Sequence, residues 1–494
     1  MTAARRHFIG SMGLTLAALA LQCGRQPSAP APSTPSNAAK ASTALHDVES
    51  DFRSGTRLLA KVLRVAGTQE EAHIGWHDKD LATDCTFEPA SDGAKRCLPT
   101  TRFETEAFFA DAGCKVRVAV TFPSQPCTSR FARASEGHCD DFRERVFPAQ
   151  DEQRDIATVF QRDSDQRCTP KPLKGEHVFR LGAEIAASRF VEGRSSMEES
   201  ASVTTEYVNT SDGARAFVTL RDPRHGNTPC TLFDNGATWA CEPTETKLVE
   251  DGIFSGLDCS QRLVSGCTGY LASELVPGDA GADASSVACD EEHYFEIGTK
   301  VTSQYALLPV GTDADAPSTC QMQATYSAPW ESFFAVGKEV ERADLIPGHP
   351  LAVTDPTARI VRPRLGTPAP GLVVPSVRWH EHKYNSTCDF RHAVDGTLRC
   401  IPSYATLGET FEDVACTVPI HVKRCGAVPR VFVRSTDTCS DALRIFEVGA
   451  RVEKAWTYRR EAGNCVRVYQ APVAYRVGAE IEPSAFVSAI ESVR

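Results

Sequence analysis

What the sequence lacks narrows its function first. It has no excess of positive charge: 53 Lys and Arg stand against 64 Asp and Glu, a formal net charge of −11, whereas a nucleic-acid partner calls for a basic surface. A Gly-x-Ser-x-Gly elbow, a phosphate-binding loop, a dinucleotide fingerprint and a His-Glu-x-x-His helix are all missing, which removes the enzyme classes those motifs carry. Cys-x-x-Cys pairs are absent, and the shortest cysteine gap, Cys259 to Cys267, is long for a zinc knuckle. Beyond the N-terminal stretch no apolar run is long enough for a membrane-spanning helix. Helix of any kind is expected to be scarce, since 30 Pro and 33 Gly punctuate almost every run. These absences assign no catalytic residue, no metal and no cofactor.

What is present is a stretch that occurs three times. Its clearest copy is Trp379-His380-Glu381, Cys388-Asp389-Phe390, Asp395-Gly396 and Arg399-Cys400-Ile401-Pro402. The first copy is Trp76-His77-Asp78, Cys85-Thr86-Phe87, Asp92-Gly93 and Arg96-Cys97-Leu98-Pro99. A degenerate middle copy reads Leu220-Arg221-Asp222, Cys230-Thr231-Leu232, Asn235-Gly236 and Ala240-Cys241-Glu242-Pro243. Each is a hairpin signal, because Asn-Gly and Asp-Gly accept the positive φ of tight turns. Counting outward from Asn235-Gly236 sets Cys230 directly opposite Cys241, within disulfide reach. The outer copies hold one more residue between their cysteines and call for a longer turn or a bulge near the Gly. Disulfides Cys85–Cys97, Cys230–Cys241 and Cys388–Cys400 are therefore expected.

The cysteines reinforce the threefold pattern. Cys23 stands alone, and the other eighteen fall as six, six and six in residues 46–195, 196–348 and 349–494. Six per repeat reads as three disulfides per repeat, which requires an oxidising compartment. Each repeat closes on a second phrase: Phe179-Arg180-Leu181-Gly182, Phe334-Ala335-Val336-Gly337 and Tyr475-Arg476-Val477-Gly478, followed by the apolar pairs Phe190-Val191, Leu345-Ile346 and Phe486-Val487. A related phrase appears earlier in two repeats, as Phe295-Glu296-Ile297-Gly298 and Phe446-Glu447-Val448-Gly449. Alternating apolar and polar residues give these phrases the period of half-buried strands. In the third repeat, strands are expected near 373–379, 388–390, 398–401 and 410–411, then near 444–448, 455–458, 466–469 and 474–477. The chain is thus expected to be all-β, three tandem repeats of two four-stranded antiparallel sheets each, arranged as a six-bladed β-propeller or as three tandem β-sandwich-like domains.

Residues 1–22 read as a signal peptide, with Arg5-Arg6 ahead of an apolar stretch from Phe8 to Leu21 that is too short to span a bilayer. Residues 23–45 are rich in Pro, Ser and Ala and read as a tether. The segment Leu19-Ala20-Leu21-Gln22-Cys23 resembles the bacterial lipoprotein pattern, with Gln22 where Gly or Ala is usual, and this resemblance makes Cys23 the lipidated N-terminus of an exported protein on a membrane facing the periplasm or exterior. Residues 46–494 resemble uncharacterised cysteine-rich repeat lipoproteins of high-GC bacteria. That resemblance implies no activity and no catalytic residue.

The candidate binding residues are those that recur beside the hairpins: Trp76, His77, Asp78, Trp379, His380 and Glu381. A recurring acid in this setting is more often a structural partner for backbone amides or for Arg96 and Arg399 than a catalyst. His380-Glu381-His382 puts two histidines on one strand face, but neither other copy does, and no metal is assigned. The Asp-rich loops 277–283 and 311–317 have calcium-type oxygen ligands without a complete loop pattern and read as surface turns. The function expected is a lipid-anchored envelope protein that binds a protein or glycan partner. The alternative is an extracytoplasmic hydrolase or lyase with its site in a propeller channel.

Overall fold

In the computed structural model the described residues are 46–494, apart from 101–102, 105–107, 122–128, 138–140, 163–166, 174–175, 201, 235–237, 245, 257, 266–270, 277–290, 302–303, 310–317, 323–331, 352–357, 423–427, 438–439 and 462–463. The signal, Cys23, the tether and both Asp-rich loops lie outside them. Among the described residues the architecture is all-β, with short 3-10 turns and no α-helix.

Each hairpin stretch forms the second half of a four-stranded meander. Meander 1 is Leu58–Val65, Glu71–Asp78, Thr83–Pro89 and Lys95–Pro99, and meander 2 is Thr204–Thr210, Arg215–Asp222, Thr228–Asp234 and Trp239–Pro243. In meander 3 the first two strands are each split, into Ile360–Val361 with Arg364–Gly366 and Leu372–Pro375 with Trp379–Glu381, ahead of Ser386–His392 and Leu398–Pro402. After every repeat a 3-10 turn leads into a linking strand: Gly193–Glu199, Pro347–Pro350 or Ser488–Val493. That strand starts on one meander and finishes on the next. Cys97, Cys241 and Cys400 donate their N–H groups to Val191, Ile346 and Val487 at 2.9, 2.8 and 2.9 Å. Onward, the linking strands pair with Thr204–Thr210, Arg364–Gly366 and Leu58–Val65. The last of these returns the chain end to the first meander.

The expected count of four strands per sheet is corrected by these joins. Among the described residues there are six sheets, with nine, five, three, seven, nine and six strands, the five-stranded one a closed barrel. The physical reason is lateral: an open edge of a meander is satisfied by the linking strand, so the meanders fuse edge to edge into the two nine-stranded sheets. Those sheets meet through an Arg96–Glu192 bridge at one end, and at the other through meander 3, whose split strands contribute to both. The second unit of each repeat is a lobe inserted between a meander's fourth strand and its 3-10 turn. Lobe 1 holds the barrel and the three-stranded sheet, lobe 2 the seven-stranded sheet and lobe 3 the six-stranded sheet.

The apolar pairs rivet lobes to meanders. Val191, Ile346 and Val487 enter the three meander cores, each of which also contains the hairpin disulfide. Their neighbours Phe190, Leu345 and Phe486 point the other way, into cores shared with the lobes. Adjacent strand residues face opposite sides, so two consecutive apolar residues serve two cores.

Hairpin register is the same in all three copies and differs from the direct Cys–Cys pairing. Cys85, Cys230 and Cys388 lie opposite Pro99, Pro243 and Pro402, while Cys97, Cys241 and Cys400 lie opposite Phe87, Leu232 and Phe390. The bridges are diagonal, with Cα–Cα separations of 5.2, 5.2 and 5.4 Å, a distance that strand twist allows for one diagonal of a pair. In the outer copies the extra residue produces a turn with Gly93 and Gly396 at φ 80° and 72°, closed by Ala90 N–H to Ala94 O and Ala393 N–H to Thr397 O. In the middle copy Asp234 pairs with Trp239 rather than Ala237, and the Asn235-Gly236 turn itself lies outside the described residues.

In lobe 3 four expected strands are two: Ser440–Glu461 pairs along its length with Asn464–Glu480. The two related phrases of that repeat meet in this hairpin, Val448 opposite Val477. In lobe 2 Ile297 meets Val336 in the same way. A Cβ on Gly449 would stand 2.7 Å from the Arg476 carbonyl oxygen, and one on Gly478 2.9 Å from that of Glu447. Glycine is needed there because the two backbones cross. Among the described residues each lobe also carries one long-range disulfide, Cys114–Cys168, Cys259–Cys320 or Cys416–Cys465. All six described bridges stay within a repeat, and the remaining cysteines lie outside the described residues.

Candidate functional site

The N-terminal segment 46–53 runs across the meanders as a strap. His46 pairs in parallel with Leu372, Val48 is fully buried among Leu220, Ile346, Leu365 and Val374, and Arg53 bridges to Arg215. Between the strap, the turn after Val65 and the split strands of meander 3 lies a cleft of about 1170 Å³. It opens where the two nine-stranded sheets part.

The cleft is lined by charges of both signs, among them Asp47, Glu49, Glu70, Glu71, Arg362, Arg364 and Arg494, with Ser50, Thr68 and Gln69 between them and Phe52 on one wall. Arg362 pairs with Glu49, Arg364 with Asp47 and with Glu70 at 3.0 Å, and Arg494 with Glu71. Burial pushes the Glu49 carboxyl up, and Arg362 only partly opposes it. Asp47 Oδ1 accepts the Glu49 N–H at 3.1 Å and its carbonyl accepts the Ser50 hydroxyl at 2.7 Å, so the strap's turn is self-capped. Arg362 donates to the Ser376 carbonyl at 2.8 Å and lies over the Trp379 ring, 5.6 Å from its centre. It follows directly on the pair Val361–His380, near the place where Ala60 faces Trp76 and Thr205 faces Leu220 in the other meanders. None of these residues was singled out from sequence. The available signal was Arg359-Ile360-Val361-Arg362, which sets an arginine where strand alternation turns a side chain toward the core.

The sequence-derived candidates are distributed differently. Trp76 and Trp379 are buried in separate cores, and Asp78 and Glu381 are 0% exposed. These four candidate binding residues are thus internal. Arg57 clamps Asp78 through Nε and Nη2 at 2.9 and 2.7 Å and also donates to the Arg189 carbonyl at 2.7 Å. Arg359 donates to Glu381 at 2.9 Å and to the Ala485 carbonyl. Asp222 is held instead by its neighbours Arg224 and His225; burial pushes its carboxyl up, and these two contacts outweigh it and leave it below the usual range. Arg96 and Arg399 bind the turn acids Asp92 and Asp395, at 2.6 Å each, rather than Asp78 and Glu381.

His77 and His380 remain partly exposed on the outer side of their strands. His77 Nδ1 lies 2.8 Å from Asp84, which also meets Lys61 at 2.5 Å; Lys61 in turn reaches Glu491 at 2.6 Å. His380 faces His382, ring centres 5.2 Å apart. Among the described residues no group of three or more His, Cys, Asp or Glu stands together as a metal centre.

The chain belongs to a protein family of unknown function, DUF7481, which it matches over residues 38–438. No curated protein matches it, and no solved structure does.

Proposed function

Starting from membership in a family without an assigned activity, we propose that this protein is an exported, lipid-anchored envelope protein that binds a glycan in the cleft beside its N-terminal strap. The observation that carries the reading is the lining: acids and arginines locked into pairs, with Ser50, Thr68 and Gln69 among them and Phe52 as an apolar wall. Such a surface has little net field and offers fixed donors and acceptors side by side, which suits hydroxyl-rich ligands better than a strongly charged one. The cleft is larger than the usual small-molecule range of about 300–1,000 Å³, room for several sugar rings.

Anchoring is supported by the cysteine arithmetic, which leaves Cys23 without a partner, and two or three acyl chains at ~0.8 kcal/mol per buried methylene hold a protein on a bilayer. Six described disulfides fit an oxidising compartment. Cys23→Ser should move the protein from the membrane to the soluble fraction with its folding intact. Titration of the purified protein with envelope oligosaccharides should give saturable binding that weakens at least about tenfold, roughly one lost charged hydrogen bond, in Gln69→Ala and Arg494→Ala. Binding that survives both changes, or capture of a protein ligand instead of any glycan, sinks the glycan reading; turnover of the oligosaccharide replaces it with the hydrolase.

A further inference from the structure

We propose that His380 and His382 form a chelate for a divalent transition cation, Zn²⁺ being the reference case, on the outer side of meander 3. Side chains alternate along the strand. Glu381, the last residue of its strand, is buried, while His380 on the strand and His382 at the start of the turn reach solvent on either side of it. Their ring centres are 5.2 Å apart with the planes inclined by 65°. A zinc–nitrogen bond of about 2.1 Å plus roughly 1.1 Å from nitrogen to ring centre puts each centre about 3.2 Å from the metal, and a tetrahedral angle then separates the centres by about 5.2 Å. The observed spacing matches the one that two rings sharing a cation would adopt.

The equivalent positions in the other meanders make the contrast. His77 and Arg221 occupy the place of His380, and each binds a carboxylate: Asp84 on the facing strand at 2.8 Å for His77, Glu206 at 2.6 Å for Arg221. In meander 3 the residue facing His380 is Thr387, and the neighbour of the imidazole is a second imidazole. A position that elsewhere carries a group paired with a carboxylate is here one of two neighbouring imidazoles. The backbone holds the pair in place. His382 N–H donates to the Arg359 carbonyl at 2.9 Å and its carbonyl accepts from Asn385 N–H at 3.2 Å, so the turn is closed at both ends. The Asn385 amide also stands beside the His380 ring, where it can orient the imidazole. Water, or a ligand from a binding partner, completes the coordination.

The test uses the full chain, freed of metal with a chelator and titrated with ZnCl₂, and in parallel with Cu²⁺ read by electron paramagnetic resonance. One saturable zinc site is expected, with two equivalent nitrogens on copper. His380→Ala and His382→Ala should each weaken zinc by more than the roughly 100-fold that loss of a mere orienting partner can cause, while His77→Ala leaves it unchanged. His382 is exposed, so its variant keeps the fold, and an unchanged thermal transition confirms that. Binding that does not saturate, or that persists in His382→Ala, overturns the site.

Discussion

Meanders 1 and 2 bury an acid at the same place, Asp78 and Asp222, yet tie it down by different means. In meander 1 the partner is Arg57, from the start of the meander's first strand, and its guanidinium continues to the carbonyl of Arg189 in the 3-10 turn after lobe 1. In meander 2 the partners are Arg224 and His225, two and three residues further along, and Asp222 also caps the turn they occupy. Both acids cap the turn that follows them, Asp78 accepting the Asp80 and Leu81 N–H groups at 3.0 and 3.2 Å, but only Asp78 also fastens distant segments together. Meander 3 follows the first pattern with Arg359 and Ala485. Equal burial therefore does not mean equal reach: an inter-segment clamp breaks the assembly of repeats, a local cap only frays a turn.

The largest effect should come from Arg57→Met, which leaves the fully buried Asp78 carboxylate without its cationic partner and with only the Asp80 and Leu81 N–H groups. Losing one partner of a buried pair costs about 3–5 kcal/mol, measurable as a shift of the urea midpoint. Removal of the hairpin bridges should abolish the difference between meanders, since Cys85–Cys97 and Cys230–Cys241 close loops of 12 and 11 residues. Each paired Cys→Ala variant should lose about 3 kcal/mol in the chain-entropy account, and a clear inequality would show that the surrounding core decides instead.

Acid should separate the two meanders next. His73 lies between Phe52 and Trp76, ring centres 5.4 and 4.8 Å away, and burial pushes its imidazole down to about 4, against a hydrogen bond to the Gly75 backbone. Meander 2 has Phe217 at the matching place, immediately before its bulged Val218. Because the folded value lies below the ordinary one, the unfolded chain takes the proton first. Stability is then full above about pH 6.5 and falls by about 2–3 kcal/mol toward pH 4. His73→Phe should remove that slope, and a slope that persists assigns it to other groups. The smallest effect is expected for Arg224→Met, about 1 kcal/mol, because Asp222 keeps His225 and a backbone N–H. A loss equal to that of Arg57→Met would end the distinction.

The threefold pattern, the β class and the hairpin bridges were legible because they rest on local signals: cysteine spacing, Asp-Gly turns and alternation. The register was not, since a shift of two residues keeps the same faces and the same Cys–Cys bridge. The fusion of meanders was hidden for a different reason. Nothing in Gly193–Glu199 or Ser488–Val493 marks them as shared between two sheets; that depends on which edges are left open in space. The cleft was equally invisible, because its charges come from Asp47, Glu70, Arg362 and Arg494, brought together only by closure. Trp76 and Asp78 were conspicuous in the sequence for the very reason they are internal: a repeated core repeats its residues.

The return of Ser488–Val493 to Leu58–Val65 also sets a timetable. Ser54 hydrogen-bonds the Arg494 carbonyl across 440 residues of chain, and at about 5–20 residues per second a ribosome takes on the order of a minute to supply that stretch. Throughout that interval the edge of Leu58–Val65 waits unpaired, a template for any other strand nearby. Contacts so far apart in sequence also form slowly once the chain is whole. The newborn protein therefore depends on being kept apart from its own kind until its final strand arrives.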